Sequence, residues 1–281
     1  MQTLSDAIKK RVSCRTYSDK PIEEKILQQL ESIISAVHEG PFGNKTKFKL
    51  ISMETISPDQ WKKMGTYGTI RGASNFLAGI VSPGPRAMED YGYCMETVIL
   101  KATALGLVTC WLGGTFQASS FARAAGLQKG ELMPAVTPVG YPASQKSLTE
   151  KIMRRFAGSD HRKPWRNIFF IDDFSHPLPE NSAGRYREAL ENLRIAPSAS
   201  NKQPWRILYD AKENNFHFFV ERSRQYKMLG IAHLQDIDLG IAMSHFEITA
   251  RELTLPGRWK IIPDAPKEKN LEYIVSWQSK Y

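Results

Sequence analysis

Two arginines flank a serine near the start of the chain, in the segment Arg11-Val12-Ser13-Cys14-Arg15. In an extended backbone Arg11, Ser13 and Arg15 would lie on one side, because successive side chains point to opposite faces. A guanidinium offers a planar fork of N–H donors to phosphate oxygens, and the serine hydroxyl adds another donor. The pattern therefore predicts either an anion site or a solvated basic turn.

A second polar segment runs from Ala196 to Trp205 and reads Ala-Pro-Ser-Ala-Ser-Asn-Lys-Gln-Pro-Trp. Its small residues would let the backbone approach a flat ligand, while the serines and asparagine supply neutral hydrogen bonds. The alternative is an ordinary turn between a helix and a strand. The density of proline, serine, asparagine and glutamine favours a binding role. The candidate residues are Pro197, Ser198, Ala199, Ser200 and Asn201.

A glycine pair, Gly113-Gly114, follows Leu112 at the end of a predicted strand. Glycines allow positive φ and leave the backbone N–H unobstructed, as the edge of a ligand would require. The run matches neither the dinucleotide-binding fingerprint nor the P-loop, and a plain turn is the alternative. Basic residues are densest between positions 146 and 166, where either a solvated linker or a phosphate site is possible. The residues that cluster there are Arg154, Arg155, Arg162, Lys163 and Arg166.

Composition limits the class of protein. The 281 residues are 42% hydrophobic and 24% charged, which is ordinary for a globular chain with a core. The net charge of +9 suits phosphorylated ligands, acidic membranes or nucleic acid, but no nucleic-acid motif accompanies it. No apolar run reaches the roughly 18 residues that would span a bilayer, and no signal-peptide core is present. We expect a cytoplasmic protein without nucleic-acid or membrane partners, and with neither a disulfide nor a metal site, since its three cysteines have no metal-type spacing.

An internal repeat organises the chain. Residues 90–111 match residues 238–259 without a gap, at an offset of 148 residues, with 7 of 22 positions identical. Each copy also carries apolar residues spaced 4, 3, 4 and 3 apart, which predicts an amphipathic helix. A second, shorter sequence similarity relates residues 43–48 to residues 200–205. These matches predict that the chain arose by duplication.

Helices alternate with strands along both copies, which predicts an α/β or α+β sandwich. The predicted helices are Leu4–Lys10, Ile22–Val37, Ala87–Leu105, Ala183–Arg194 and Leu234–Leu253. The predicted strands are Phe48–Met53, Phe76–Val81, Val108–Leu112, Ala135–Val139, Arg206–Tyr209, Phe216–Val220, Trp259–Ile262 and Glu272–Trp277. The proline-rich stretch 172–182 is expected to interrupt regular structure. It divides the chain into halves at residues 1–175 and 176–281.

Taken in order, these segments resemble the landmarks of the nitroreductase family. The landmarks are Arg-x-Ser-x-Arg near the N-terminus, Pro-Ser-x-x-Asn-x-Gln-Pro-Trp, a glycine-rich turn after the long central helix, and Gly140-Tyr141-Pro142 followed by Arg162-Lys163-Pro164. The resemblance spans most of the chain. It implies an α+β fold, a three-layer α/β/α sandwich, built from two diverged repeats as an intramolecular pseudo-dimer. It also implies FMN as the cofactor and NAD(P)H as the co-substrate.

The chain departs from the family pattern in one respect. Ordinary members carry both motifs in each subunit, and each site of the homodimer combines the first motif of one subunit with the second motif of the other. Here Arg-x-Ser-x-Arg opens the first half and the intact second motif lies in the second half. The first half has only Gly40-Pro41-Phe42-Gly43-Asn44 in place of the second motif. The resemblance thus implies one surviving composite site per chain, in a monomeric pseudo-dimer or a dimer of it.

The resemblance also implies roles for the candidates. Arg11, Val12, Ser13 and Arg15 with Arg162 and Lys163 would hold the FMN phosphate and the polar side of the flavin; Arg155 is a further phosphate candidate. Pro197, Ser198, Ala199, Ser200 and Asn201 would line the isoalloxazine. Leu112, Gly113 and Gly114 would pass along its reactive edge, where a backbone N–H meets N5.

The implied reaction is hydride transfer from NAD(P)H to flavin N5, then two-electron reduction of a small nitroaromatic or quinone-like acceptor. No side chain is assigned as general acid or base. A flavin-binding module without turnover, acting as a carrier, sensor or scaffold, is the alternative. A nucleic-acid binder is a third and less favoured interpretation.

Overall fold

The computed structural model describes residues 3–54, 56–66, 68–113, 116, 118–145, 161–228 and 233–280. The chain divides into two compact units, Met1–Ser159 and Asp160–Tyr281. This division lies before the boundary at 175/176 that the sequence predicted. The reason is that residues 169–177 form two strands of the sheet of the second unit.

The first unit is built on a four-stranded antiparallel sheet. Its described helices are α1 (Leu4–Lys10), α2 (Glu24–Ala36), α3 (Pro58–Lys63), α4 (Ala87–Ala104) and α5 (Ala118–Ala125). Its described strands are β1 (Thr46–Ser52), β2 (Asn75–Val81), β3 (Val108–Thr109) and β4 (Val136–Gly140). The strand order in the sheet is β1-β2-β4-β3.

Helices cover both faces of this sheet. Strand β2 is buried along its whole length, so alternate residues must pack in opposite directions. On one face Gly79 leaves room for the ring of Tyr91 on α4, because a Cβ at Gly79 would lie 2.7 Å from a ring carbon. On the other face Phe76 packs edge-on against Phe121 of α5, with ring centroids 5.0 Å apart. The first unit therefore has three layers, with its sheet in the middle.

The second unit is built on a six-stranded sheet. Its described helices are α6 (Arg187–Arg194), α7 (Arg224–Met228) and α8 (His233–Glu252). Its strands are β5 (Phe169–Ile171), β6 (Asp173–Pro177), β7 (Trp205–Asp210), β8 (Asn215–Glu221), β9 (Gly257–Lys260) and β10 (Leu271–Ser279). The order is β6-β5-β7-β8-β10-β9, and β5 runs parallel to β7 whereas the other neighbours are antiparallel. Helix α8 packs on this sheet through Phe246, whose ring contacts Phe216, Phe218 and Trp277.

The two sheets share one strand order. The series β1-β2-β4-β3 of the first unit corresponds to β7-β8-β10-β9 of the second. In each series the long central helix, α4 or α8, follows the second strand in the chain. These are the two helices that carry the repeated sequence. Strands β5 and β6 extend the sheet of the second unit beyond this common pattern.

Most predicted elements are confirmed, and three predictions were wrong. The interval 183–194 begins as a 3₁₀ helix, Glu180–Tyr186, and becomes α-helical only at Arg187, because Gly184 adopts φ 54° and ψ −134°. The predicted strand 108–112 is regular only at its first two residues. The proline-rich stretch 172–182, expected to lack regular structure, contains β6, whose Pro177 lies on an edge strand where proline is tolerated. Among the described residues, no helix is both long and apolar enough to cross a membrane.

Candidate functional site

The first basic segment lies beside the strand that leads into the glycine-rich turn. Arg11 ends α1, and its N–H donates to Ala7. Ser13 pairs with Thr109 of β3 in the parallel sense, and the Cys14 N–H donates to the Thr109 carbonyl at 2.9 Å. The segment is therefore extended where it meets β3, which is the condition under which its alternate side chains share one side. Within the first unit, two of the predicted site segments are neighbours.

Arg11 faces a buried carboxylate. Its Nε lies 3.6 Å from Oε1 of Glu96 on α4, and the two side chains are only 6% and 0% exposed. The indole of Trp111 donates to Oε2 of the same Glu96 at 2.7 Å. Nε and Nη1 of Arg11 have no hydrogen-bond partner in the part of the chain that the structure describes. The guanidinium is thus charge-paired but not saturated with hydrogen bonds.

The backbone polar groups of Leu112 are already hydrogen-bonded within the fold. Its N–H and carbonyl both pair with Val136, at 3.0 and 3.1 Å, and its side chain is in the core. The Leu112 N–H is therefore not available to a ligand, whereas a ligand contact through Gly113 or Gly114 stays a prediction. Gly114 and Arg155 lie outside the described residues.

The second polar segment forms a tight loop over residues 198–203, with an unusual backbone. Ser200, Asn201 and Gln203 have φ values of 48°, 53° and 48°. This left-handed region is costly for residues other than glycine and persists only where surrounding contacts enforce it. The Ser198 hydroxyl accepts the Gln203 N–H at 2.9 Å, and the Ser198 carbonyl accepts the Asn201 N–H at 2.9 Å. The loop is thus closed by its own first residue.

Arg162 fastens a second segment to this loop. Its Nε and Nη2 both donate to the Ile195 carbonyl at 3.2 Å, and Nη1 donates to Oδ1 of Asn201 at 3.0 Å. Asn201 in turn donates from Nδ2 to the carbonyl of His161 at 2.7 Å. These contacts use much of the donor capacity of Arg162. Its observed part is therefore to shape the loop, whereas a direct contact with a phosphate stays a prediction.

Gln203 completes the connection. Its Oε1 accepts the backbone N–H of Lys163 at 2.7 Å, and its Nε2 donates to the Asn201 carbonyl at 3.1 Å. The side chain is 3% exposed, so these bonds are shielded from water. Residues 161–163 and the loop 198–203 therefore form one hydrogen-bonded assembly in the second unit.

Two cations share one carboxylate at the margin of this assembly. Arg206 forms a close ion pair with Oε2 of Glu221, and Nζ of Lys163 lies 3.8 Å from the same oxygen. Burial lowers the pKa of Lys163, and the neighbouring Arg206 charge lowers it further, while Glu221 opposes the shift. One carboxylate cannot neutralise two cations, so the margin carries positive charge that favours an anion.

The backbone of Ala199 is held on both sides of its Cα. Its N–H donates to Oδ1 of Asp238 on α8 at 2.8 Å, and its carbonyl accepts from the hydroxyl of Tyr226 on α7 at 3.1 Å. Oδ2 of Asp238 is buried and has no hydrogen-bond partner among the described residues. Burial raises the pKa of Asp238 well above its ordinary value, although the Ala199 N–H opposes that shift.

Asp90, the counterpart of Asp238 in the repeat, likewise accepts hydrogen bonds from a loop in the first unit. Its carboxylate accepts the backbone N–H groups of Phe42 and Asn44, both at 2.9 Å, and the side-chain amide of Asn44 at 2.8 Å. Gly40 is required beside it, since a Cβ there would lie 2.2 Å from Oδ1 of Asp90. Each repeated aspartate thus fastens a loop, but the loop of the first unit has no serine-rich sequence.

Sequence reasoning found the segments but missed some of the residues that hold them. Gln203 was visible in the quoted motif, and Asp238 was visible as a repeated position. Tyr226 carried no signal, because nothing in its local sequence relates it to Ala199. The structure brings Arg162, Lys163 and residues 198–201 together in the second unit, and it brings the segment 11–15 beside β3 in the first.

A sequence model of a protein family described as "Putative TM nitroreductase" matches residues 3–250. The chain belongs to this nitroreductase family. A curated relative from Archaeoglobus fulgidus, named "Putative NADH dehydrogenase/NAD(P)H nitroreductase", is 26% identical over 171 residues, which cover 55% of this chain and 94% of the relative.

Solved structures show the fold. A nitroreductase from Thermotoga maritima superimposes with a TM-score of 0.61 at 19% identity, over 99% of this chain and 94% of its own. The chain therefore has the nitroreductase fold of mixed helix and sheet. A nitroreductase from Desulfovibrio desulfuricans, solved in complex with FMN, covers 54% of this chain and 95% of its own, with 22% identity and a TM-score of 0.41.

Proposed function

We propose that this protein is an FMN-dependent oxidoreductase that takes electrons from NAD(P)H and reduces a nitroaromatic or quinone-like small molecule. The observation that carries the proposal is the assembly of residues 161–163 with the loop 198–203. It gathers predicted flavin-contact residues into one hydrogen-bonded, strained loop in a chain of the nitroreductase family. The name of the Archaeoglobus relative supports NAD(P)H as the electron donor.

The described residues fit the chemistry of FMN. A phosphate requires N–H donors and positive charge, and Arg11 retains unsatisfied donors, while Lys163 is 32% exposed beside a second cation. A flat ring system requires small side chains and backbone groups at its surface. Pro197, Ser198 and Ala199 offer such a surface, and Gly113 offers a backbone free of Cβ.

Each segment has a distinct part in the proposal. When bound, FMN would supply the two-electron chemistry, since flavins accept and release hydride at N5. Arg15, Ser13 and Lys163 bind the phosphate end. Ser198, Ser200 and Asn201 contribute polar contacts along the ring, and Gly113 contributes a backbone N–H at its edge. No general acid or base is assigned among these residues.

The repeat adds one further element to the proposal. We propose that the chain is two diverged copies of one nitroreductase unit, that the copies serve a single FMN, and that the loop 40–44 of the first copy no longer contributes to a second site. The shared strand order and the paired aspartates Asp90 and Asp238 support the two-copy interpretation.

Oxidation of NADH and NADPH by the FMN-loaded protein, with a quinone or a nitroaromatic compound as acceptor, tests the function. We expect acceptor-dependent turnover with at least one of the two nucleotides. Flavin binding without turnover for any combination would favour the carrier or sensor alternative instead.

The site is tested by Arg15→Ala, which removes one charge-assisted phosphate contact. Such a contact contributes about 1.5–3 kcal/mol, so the dissociation constant of FMN should rise roughly tenfold or more. Arg123→Ala on α5 is the matched control, because it removes an exposed arginine that no site segment contains. Equal FMN affinity of the two variants would contradict the phosphate role of the N-terminal segment.

A further inference from the structure

The loop 198–203 carries three left-handed residues that are not glycine, so something must hold it in place. Its internal bonds run between Ser198 and residues 201 and 203, and they close the turn on itself. They do not attach it to a helix. Among the described residues, the loop is attached to helices through the N–H and the carbonyl of Ala199 and through a hydrogen bond between the Ser200 and Tyr226 side chains.

The backbone of Ala199 is held by two side chains from two different helices. Asp238 of α8 accepts its N–H at 2.8 Å, and Tyr226 of α7 donates to its carbonyl at 3.1 Å. Both side chains are buried, since Asp238 is 2% and Tyr226 is 5% exposed. The Ala199 N–H belongs to the peptide group shared with Ser198, and its carbonyl belongs to the peptide group shared with Ser200. Together the two contacts therefore restrict the peptide groups on both sides of the Ala199 Cα.

Asp238 makes one hydrogen bond to the loop, yet burial of its carboxyl group costs free energy. Asp90, at the same place in the repeat, accepts three N–H groups, whereas Oδ2 of Asp238 is buried without a partner among the described residues. A buried, half-satisfied carboxylate destabilises a fold. Its presence at this position is explained if the placement of the loop, rather than the stability of the unit, is what it serves.

We propose that Asp238 and Tyr226 are positioning residues for the cofactor site, which hold the backbone of Ala199 so that Ser198, Ser200 and Asn201 lie beside the flavin. This inference rests on the proposed function. It assigns a role in the FMN site to α7 and α8, neither of which carries a flavin-contact motif in the sequence.

The test compares FMN affinity with local backbone exchange. Tyr226→Phe removes a single hydroxyl, and Tyr186→Phe is its matched control, because the Tyr186 hydroxyl accepts from Trp277 elsewhere in the same unit. Loss of one hydrogen bond corresponds to roughly a two- to tenfold change in affinity. We expect Tyr226→Phe to weaken FMN binding by about that factor and Tyr186→Phe to leave it unchanged.

Asp238 is tested by two substitutions. Asp238→Ala removes the acceptor and should weaken FMN binding roughly tenfold, whereas Asp238→Asn keeps an oxygen for the Ala199 N–H and should restore most of the affinity. Hydrogen exchange of the peptide that contains residues 198–203, measured without FMN, should accelerate in Asp238→Ala and Tyr226→Phe but not in Tyr186→Phe.

The outcomes separate this inference from the function on which it rests. Faster exchange with unchanged FMN affinity would overturn the positioning role, and unchanged exchange would overturn the hold on the loop itself. If Asp238→Ala does not fold, the Tyr226→Phe comparison decides between the same outcomes. Failure of the wild-type protein to take up FMN would overturn the proposed function, and the positioning role with it, while the exchange data would still report the hold on the loop.

Discussion

Gln203→Ala should destabilise the second unit more than any exposed glutamine substitution. The side chain is 3% exposed, accepts the Lys163 N–H at 2.7 Å and donates to the Asn201 carbonyl at 3.1 Å. Truncation leaves a partly buried donor and a partly buried acceptor without partners, at about 1–3 kcal/mol each. The free energy of unfolding should therefore fall by about 2–6 kcal/mol.

Gln203→Gly distinguishes the effect of the lost side-chain hydrogen bonds from the effect of backbone strain. Gln203 has φ 48°, and this conformation costs an L-residue about 1–2 kcal/mol. Glycine avoids that strain, but its greater freedom in the unfolded chain costs about 0.4–1 kcal/mol. Gln203→Gly should thus be up to about 1.6 kcal/mol more stable than Gln203→Ala, and still below the wild type.

Urea denaturation followed by tryptophan fluorescence measures both differences. Gln28→Ala is the control, because Gln28 lies on the exposed side of α2 with one side-chain bond, to Glu24 at 3.0 Å. It should change the free energy of unfolding by less than about 0.5 kcal/mol. If Gln203→Ala falls within the same range, Gln203 does not connect residues 161–163 to the loop in the way that we describe.

Two further predictions concern the repeated aspartates. Asp90→Asn places an NH₂ group against at least one of three N–H donors and should cost about 1.5–3 kcal/mol by urea denaturation; an unchanged midpoint would contradict the role of Asp90 in fastening the loop 40–44. Burial raises the pKa of Asp238 in the folded protein above its ordinary value of 3.8. The folded state therefore favours the protonated carboxyl group. This contribution to the free energy of unfolding is complete at a pH below the pKa of the unfolded chain, and it is lost as the pH rises through the pKa of the folded protein. Asp238→Asn does not titrate, and its melting temperature should therefore rise relative to wild type as pH increases through that window; parallel pH profiles would refute the shift.

Long, strongly patterned elements were predictable from sequence alone. Helix α1 has its predicted bounds, because Thr3 and Asp6 form a reciprocal cap at its start. Helices α4 and α8 end within one residue of their predicted positions. Their apolar stripes are long enough to fix both type and extent.

Short or tertiary-dependent elements were not predictable. Strand β5 has only three residues, and its parallel pairing with β7 joins positions 169 and 207, which no local pattern relates. The interval 183–194 reads as one helix, but Gly184 interrupts it with a backbone conformation that only tertiary packing selects.

In the candidate site, too, some residues were predictable from the sequence and others were not. Ser198 and Asn201 stood out by composition, because their residue types suit a flat polar ligand. The geometry that they adopt depends on Arg162, Tyr226 and Asp238, which reach the loop from distant parts of the chain. Sequence patterns identify candidate ligand-binding segments more readily than the residues that support them.

The number of FMN molecules per chain tests the central claim most directly. The purified protein would be reconstituted with excess FMN and desalted, and the flavin released on denaturation would be measured against protein concentration. The account predicts close to one FMN per chain, since one set of motifs is intact. Two per chain would show that the first copy retains its own site, and none would contradict the proposed function altogether.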